Sequence, residues 1–85
     1  MSMGSPRSLA SETINRFLVR AGKNTDVTPE TSLYAEGLGL DSLETAELSS
    51  MLEDDLTRDP FSEGIMAATI GEILDFYSAE EPASA

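Results

Sequence analysis

Apolar positions recur at helical spacing in three stretches of this chain. In the first, from about Ser8 to Ala21, residues Ala10, Ile14, Phe17, Leu18 and Ala21 share one face. Gly22 follows where a C-terminal cap is expected, and Arg20 and Lys23 suit the negative end of a helix. The second stretch, Ser42 to about Leu56, divides its apolar residues into two sets. Leu48, Leu52 and Leu56 predict a core stripe with Thr45 and Ser49 beside it. Leu43 and Ala46 fall on the other side with Glu47, Ser50 and Asp54, an outer face that is apolar at its start and acidic further along. The third runs from Thr69 to about Ser78, with Ile70, Ile73, Leu74 and Tyr77 on its apolar face. Thr69 and Glu72 form a capping box at its start.

The segments between these helices carry breaking signals. From Lys23 to Leu40 the chain reads as a long loop punctuated by Thr25, Asp26, Thr28, Pro29, Gly37 and Gly39. A loop of that length in a small domain must be pinned or functional. Val27, Leu33, Tyr34, Leu38 and Leu40 are the anchors that can pin it across a bundle. Thr57 to Ala68 is irregular. Asp59-Pro60 ends the second helix, because proline disfavours a helical preceding residue. Ser62 to Met66 is expected to form one short helical turn or two, and Met51 and Met66 to fill core or groove space. No repeat and no strand-period segment is present. The expectation is an all-α bundle of three longer helices and one short helix, with the long loop between the first and second.

Composition narrows the chemistry. The 85 residues hold sixteen acids and five bases, for a net charge of −11. That balance disfavours nucleic acid and anionic membranes and favours basic protein partners. With no cysteine and no histidine, the chain has no disulfide, no thiol nucleophile and no Ser-His-Asp triad. The acids from Asp54 to Glu63 lack the ligand alternation and central glycine of a calcium loop, so no metal site is expected. No apolar run approaches the length of a membrane span and no signal peptide is visible. The reading is a cytoplasmic monomer, with residues 8–79 as one domain between frayed segments 1–7 and 80–85. Met1 and Met3 are both possible starts.

One segment points to function. In Gly39-Leu40-Asp41-Ser42-Leu43-Glu44, Asp41 is a good N-cap and Glu44 completes a capping box. Ser42 is then the first helical residue, its hydroxyl facing outward at the positive end of the helix dipole. A phosphate attached there would be stabilised by free backbone N–H groups and by that dipole. Because Asp41 supplies the cap, Ser42 is not needed as one. From Asp41 to Glu63 the only base is Arg58, against Asp41, Glu44, Glu47, Glu53, Asp54, Asp55, Asp59 and Glu63.

The chain resembles the acyl carrier proteins over roughly Leu9 to Tyr77. The resemblance rests on Thr28-Pro29-Glu30 in the loop, then Leu38-Gly39-Leu40-Asp41-Ser42-Leu43, and then Glu44-Thr45-Ala46-Glu47-Leu48. The acidic run Glu53-Asp54-Asp55 and the closing Thr69-Ile70-Gly71-Glu72-Ile73 continue it. It implies an acyl-carrier-like four-helix bundle that is a substrate carrier and not a catalyst. Ser42 would carry 4′-phosphopantetheine derived from coenzyme A, whose thiol holds an acyl group as a thioester, and Asp41 would help present the serine. The implied partners are a phosphopantetheinyl transferase, acyl-loading enzymes, ketosynthases and acyltransferases with basic docking surfaces. Leu43, Glu44, Ala46, Glu47 and Asp54 are the expected docking residues. Leu48, Leu52, Phe61, Ile65, Met66, Ile70 and Leu74 are the expected lining of an acyl-chain groove. Fatty acid or polyketide-type biosynthesis is the implied setting. Leu40, Arg58-Asp59-Pro60-Phe61 and the Ala/Ser-rich tail lean towards a specialised route, and the resemblance as a whole is to a freestanding carrier. A peptidyl or aminoacyl carrier shares this architecture, although such carriers often have a second glycine where this chain has Leu40. An unmodified acidic helical adaptor is the alternative from another class.

Overall fold

The computed structural model describes residues 6–35 and 37–78. Three helices form among them: α1 (Pro6–Ala21), α2 (Ser42–Leu56) and α3 (Ile70–Ser78). α1 begins two residues earlier than the pattern predicted. Pro6 explains this, since a first-turn proline needs no N–H acceptor and has its φ preset. Pro6 and Arg7 are therefore helical, and Arg7 Nη1 binds Asp75 Oδ1 at 3.1 Å and Ser78 Oγ at 2.6 Å on α3. The rest of the expected frayed segments, 1–5 and 80–85, lies outside the described residues.

α1 is the central element and packs on both α2 and α3. It buries Ala10, Thr13, Ile14, Phe17 and Leu18. Against them lie Leu48 and Leu52 of α2 and Ile70, Ile73, Leu74 and Tyr77 of α3. α1 ends in a Schellman cap. Gly22 takes φ +72, with its N–H on the Val19 carbonyl and the Lys23 N–H on that of Leu18.

The long loop is pinned as its apolar residues required. Leu33 and Leu40 are buried, and Val27 and Leu38 pack against the core. The Leu33 N–H reaches the Ala68 carbonyl at 2.9 Å, and the Ile70 and Gly71 amides return to Thr31 and Pro29. An isolated bridge between Ser32 and Thr69 is the one trace of β pairing among the described residues. Gly37 sits where a Cβ would lie 2.2 Å from the Ser32 carbonyl oxygen, so the loop closes this tightly only with glycine.

The expected fourth helix is absent from the described residues. α2 ends at Thr57, which adopts φ +67 and caps onto Glu53. The chain then makes a compact turn over 60–64 and leaves it at Gly64, φ +81. The Ile65 N–H bonds back to Pro60, which closes the turn and stops a helix from propagating. From 65 to 68 the backbone is irregular, with no helix or strand. Ala67 points inward, whereas Met66 is 85% exposed. This corrects the expectation that Met66 fills core or groove space. Tyr77 ties the segment down by donating its phenol to the Arg58 carbonyl at 2.6 Å. Burial, reinforced by the nearby Asp59 charge, pushes the Tyr77 phenol well above its ordinary range. α3 opens on the Thr69 cap, with Thr69 Oγ1 accepting from Glu72 N and Glu72 Oε1 accepting from Ala68 N.

Candidate functional site

The start of α2 is built by two reciprocal hydrogen bonds. Asp41, extended at φ −93 and ψ −177, accepts from Glu44 N at 2.8 Å, and Glu44 Oε1 accepts from Asp41 N at 3.1 Å. Leu40, only 7% exposed, anchors the residue before the cap in the core. Ser42 is exposed, and among the described residues none holds its hydroxyl. The first amides of α2 open the helix without intrahelical acceptors, a setting that favours an anion. An exposed, uncommitted hydroxyl beside those amides fits a covalently attached phosphodiester.

The expected docking residues divide. Leu43 is 77% exposed, and Ala46 and Asp54 are exposed too. Glu44 and Glu47 are half-buried and engaged: Lys23 Nζ lies 3.3 Å from Glu44, and Arg20 Nε lies 3.0 Å from Glu47. Further along the same flank Arg16 pairs with Asp55, which also accepts from Thr13 Oγ1 at 2.7 Å. The Thr13 hydrogen bond, then Arg16, holds the Asp55 carboxyl below its ordinary value. Arg16 and Arg20 of α1, with Lys23 just past its end, thus cover one side of the acidic helix.

An open groove of about 690 Å³ begins at Ser42. Its walls are Tyr34, Leu40, Asp41, Thr45, Ala46, Ser49, Phe61 and Ser62. Of the seven residues expected to line an acyl groove, Phe61 is on this wall. Leu48, Leu52, Ile70 and Leu74 are closed into the core, and Ile65 and Met66 face outward. The groove runs along the side of α2 where Thr45 and Ser49 stand, because α1 covers the leucine stripe.

The most consequential residue that pattern reading missed is Asp59. It is 1% exposed and organises the turn after α2. Its Oδ1 accepts from Ser49 Oγ at 2.9 Å, Phe61 N at 2.8 Å and Ser62 N at 3.2 Å. Its Oδ2 accepts from Ser62 Oγ at 2.6 Å. A local signal for this exists: Asp followed by Pro is an N-cap followed by a preset first turn. Reading Pro60 only as a helix breaker hid it. Tyr34, whose hydroxyl donates to the Ala67 carbonyl at 3.3 Å, is both a loop anchor and a wall of the groove.

The all-helical domain thus presents an uncommitted serine at a capped helix start, beside an open groove. The family model described as phosphopantetheine attachment site matches residues 12–77, and the chain belongs to that family of carriers of the acyl carrier protein kind. The domain is a site of covalent 4′-phosphopantetheine attachment, and domains of this family carry cargo and are not themselves catalytic. Comparison with curated proteins and with solved structures gives no match. Carrier domains of this kind generally engage phosphopantetheinyl transferases and biosynthetic enzymes. Among the described residues, no helix is long and apolar enough to cross a membrane.

Proposed function

We infer that Ser42 is the attachment residue and that the chain carries acyl intermediates in fatty acid or polyketide-type biosynthesis. The observation that carries this reading is the capping box: Asp41 and Glu44 satisfy each other and leave the Ser42 hydroxyl exposed. The prosthetic group supplies a flexible arm ending in a thiol that holds cargo as a thioester. Asp41 fixes the helix start, and Leu43 and Ala46 offer apolar contact to an enzyme. Asp54 faces a basic partner directly, while Glu44 and Glu47 reach one only by sharing or leaving Lys23 and Arg20. The packed core and the hydroxyl-bearing groove support an oxygenated, polyketide-type acyl chain over a plain alkyl one. Opening the core would oppose burial of an alkyl chain, because interiors are dense.

Incubation with coenzyme A and a transferase, followed by mass spectrometry, tests the assignment. One addition should map to Ser42, and its single phosphodiester charge should move the net charge from −11 to about −12. Ser42→Ala should take up nothing. Modification that persists in Ser42→Ala, or that maps to another serine, overturns the assignment. Thioester cargo recovered from the native cell as aminoacyl groups would establish the peptidyl alternative.

A further inference from the structure

We propose that Ser49 and Ser62 form an acceptor pair that holds the donor groups of the phosphopantetheine arm, with Asp59 as their positioning residue. This rests on Ser42 as the attachment point. A carboxylate only accepts hydrogen bonds, and a serine hydroxyl has one proton and two lone pairs. Ser49 and Ser62 both spend that proton on Asp59. Both also line the groove. What they can offer to the groove is therefore lone pairs alone. The Phe61 and Ser62 amides also donate to Asp59 Oδ1, which fixes the carboxylate that both hydroxyls face.

The position suits the arm. Ser42, Thr45, Ala46 and Ser49 are spaced at i, i+3, i+4 and i+7 on α2, and all four line the groove. At the helical rise, Ser49 lies about 10 Å along α2 from the attachment residue. Beyond its phosphate the arm bears a hydroxyl and then two amide N–H groups, all donors, in series. Acceptors placed partway along the stripe match donors placed partway along the arm. A turn-stiffening role for Asp59 explains its four hydrogen bonds but not the presence of both hydroxyls on the wall that leads from Ser42.

The test uses holo-protein loaded from coenzyme A carrying ¹⁵N in its two arm amides, with modification at Ser42 checked by mass. Exchange of those amide protons with solvent is compared with free coenzyme A. At least one amide should exchange about five-fold more slowly, the population ratio of a typical net hydrogen bond, with nuclear Overhauser contacts to the Ser49 or Ser62 β protons. Ser49→Ala and Ser62→Ala together should remove the protection, and Ser62→Thr should keep it. Asp59→Asn separates positioning from stiffening. Its amide nitrogen donates to one hydroxyl, which turns that serine's proton into the groove, so arm protection should fall while the fold persists. Arm amides that exchange as in coenzyme A, or protection unchanged in the double alanine variant, overturn the proposal while leaving Ser42 as the attachment point. A chain that takes up no arm at Ser42 overturns both readings.

Discussion

Along the flank of α2 that faces α1, each of three acids meets a base: Glu44 with Lys23, Glu47 with Arg20, Asp55 with Arg16. Along the flank that faces the groove, hydroxyls and amides converge on one carboxylate, Asp59, with no base among its hydrogen-bond donors. The first arrangement lies at the surface, half-buried at Glu44 and more open at Arg20, and is adjustable. Surface ion pairs contribute about 0–1 kcal/mol each, so a docking enzyme can exchange them for its own basic residues at small cost. The second is sealed and fixed, because a buried acceptor that loses its donors retains its full desolvation penalty. Negative charge is exchangeable on one side of the helix and locked in place on the other.

The comparison breaks most directly at Asp59. Asp59→Ala strands two hydroxyls and two amides, and should cost about 3 kcal/mol, read from urea unfolding. A loss under about 1 kcal/mol would show that water satisfies those donors and that the flank is not sealed.

The next effect lies at the join between α1 and α2. Thr13→Val keeps the shape of a fully buried side chain and deletes its bond to Asp55, so the loss should be about 1 kcal/mol. Asp55 has a folded pKa below its ordinary 3.8. The unfolded chain therefore binds more protons in the window below that value. The stabilisation is present at higher pH and is lost as pH falls through the folded value. Thr13→Val should make acid destabilisation shallower, and an unchanged pH profile of stability would remove Asp55 as its source.

Glu47→Lys should change stability by less than about 1 kcal/mol, since the pair with Arg20 is exposed. The rate of modification should fall several-fold at low salt and recover as salt screens the charge. Arg20→Glu combined with Glu47→Lys restores the pair and not the docking charge, so stability should return while the rate stays low. A rate restored by the double variant would mean that the pair itself, and not the acid, is recognised.

Salt should have the smallest effect. Of the acids between Asp41 and Glu63, four are paired with bases, the fourth being Glu63 with Arg58. Asp59 is internal, and Glu53 and Asp54 make no ion pair among the described residues. Self-repulsion is thus weaker than eight acids against one base in this stretch would give alone, and added salt or divalent cations should raise Tm by less than about 5 °C. Replacing Arg16, Arg20 and Lys23 with glutamine should enlarge that response. An unchanged response would place the repulsion elsewhere in the chain.

Whatever depends on neighbours three or four residues apart was legible in the sequence. The faces of α1 and α3, the caps at Asp41 and Thr69, the Gly22 stop and the exposed Ser42 are all local features. So is the motif that marks a carrier, because a capped helix start carries its own geometry. Long-range packing set which flank of α2 meets the bases, since Thr13 and Asp55 are 42 residues apart and Arg16 and Asp55 are 39 apart. It also decided the groove. Periodicity identifies an apolar stripe but not which partner covers it, and α1 covered Leu48 and Leu52. The segment after α2 was the least legible. Its conformation follows from a buried carboxylate, a glycine at φ +81 and a tyrosine donated from α3, not from any repeating pattern. Regular elements are chosen by short-range hydrogen bonding and hydrophobic period. Irregular ones are chosen by whichever distant groups satisfy their polar atoms, and that choice exists only once the chain has folded.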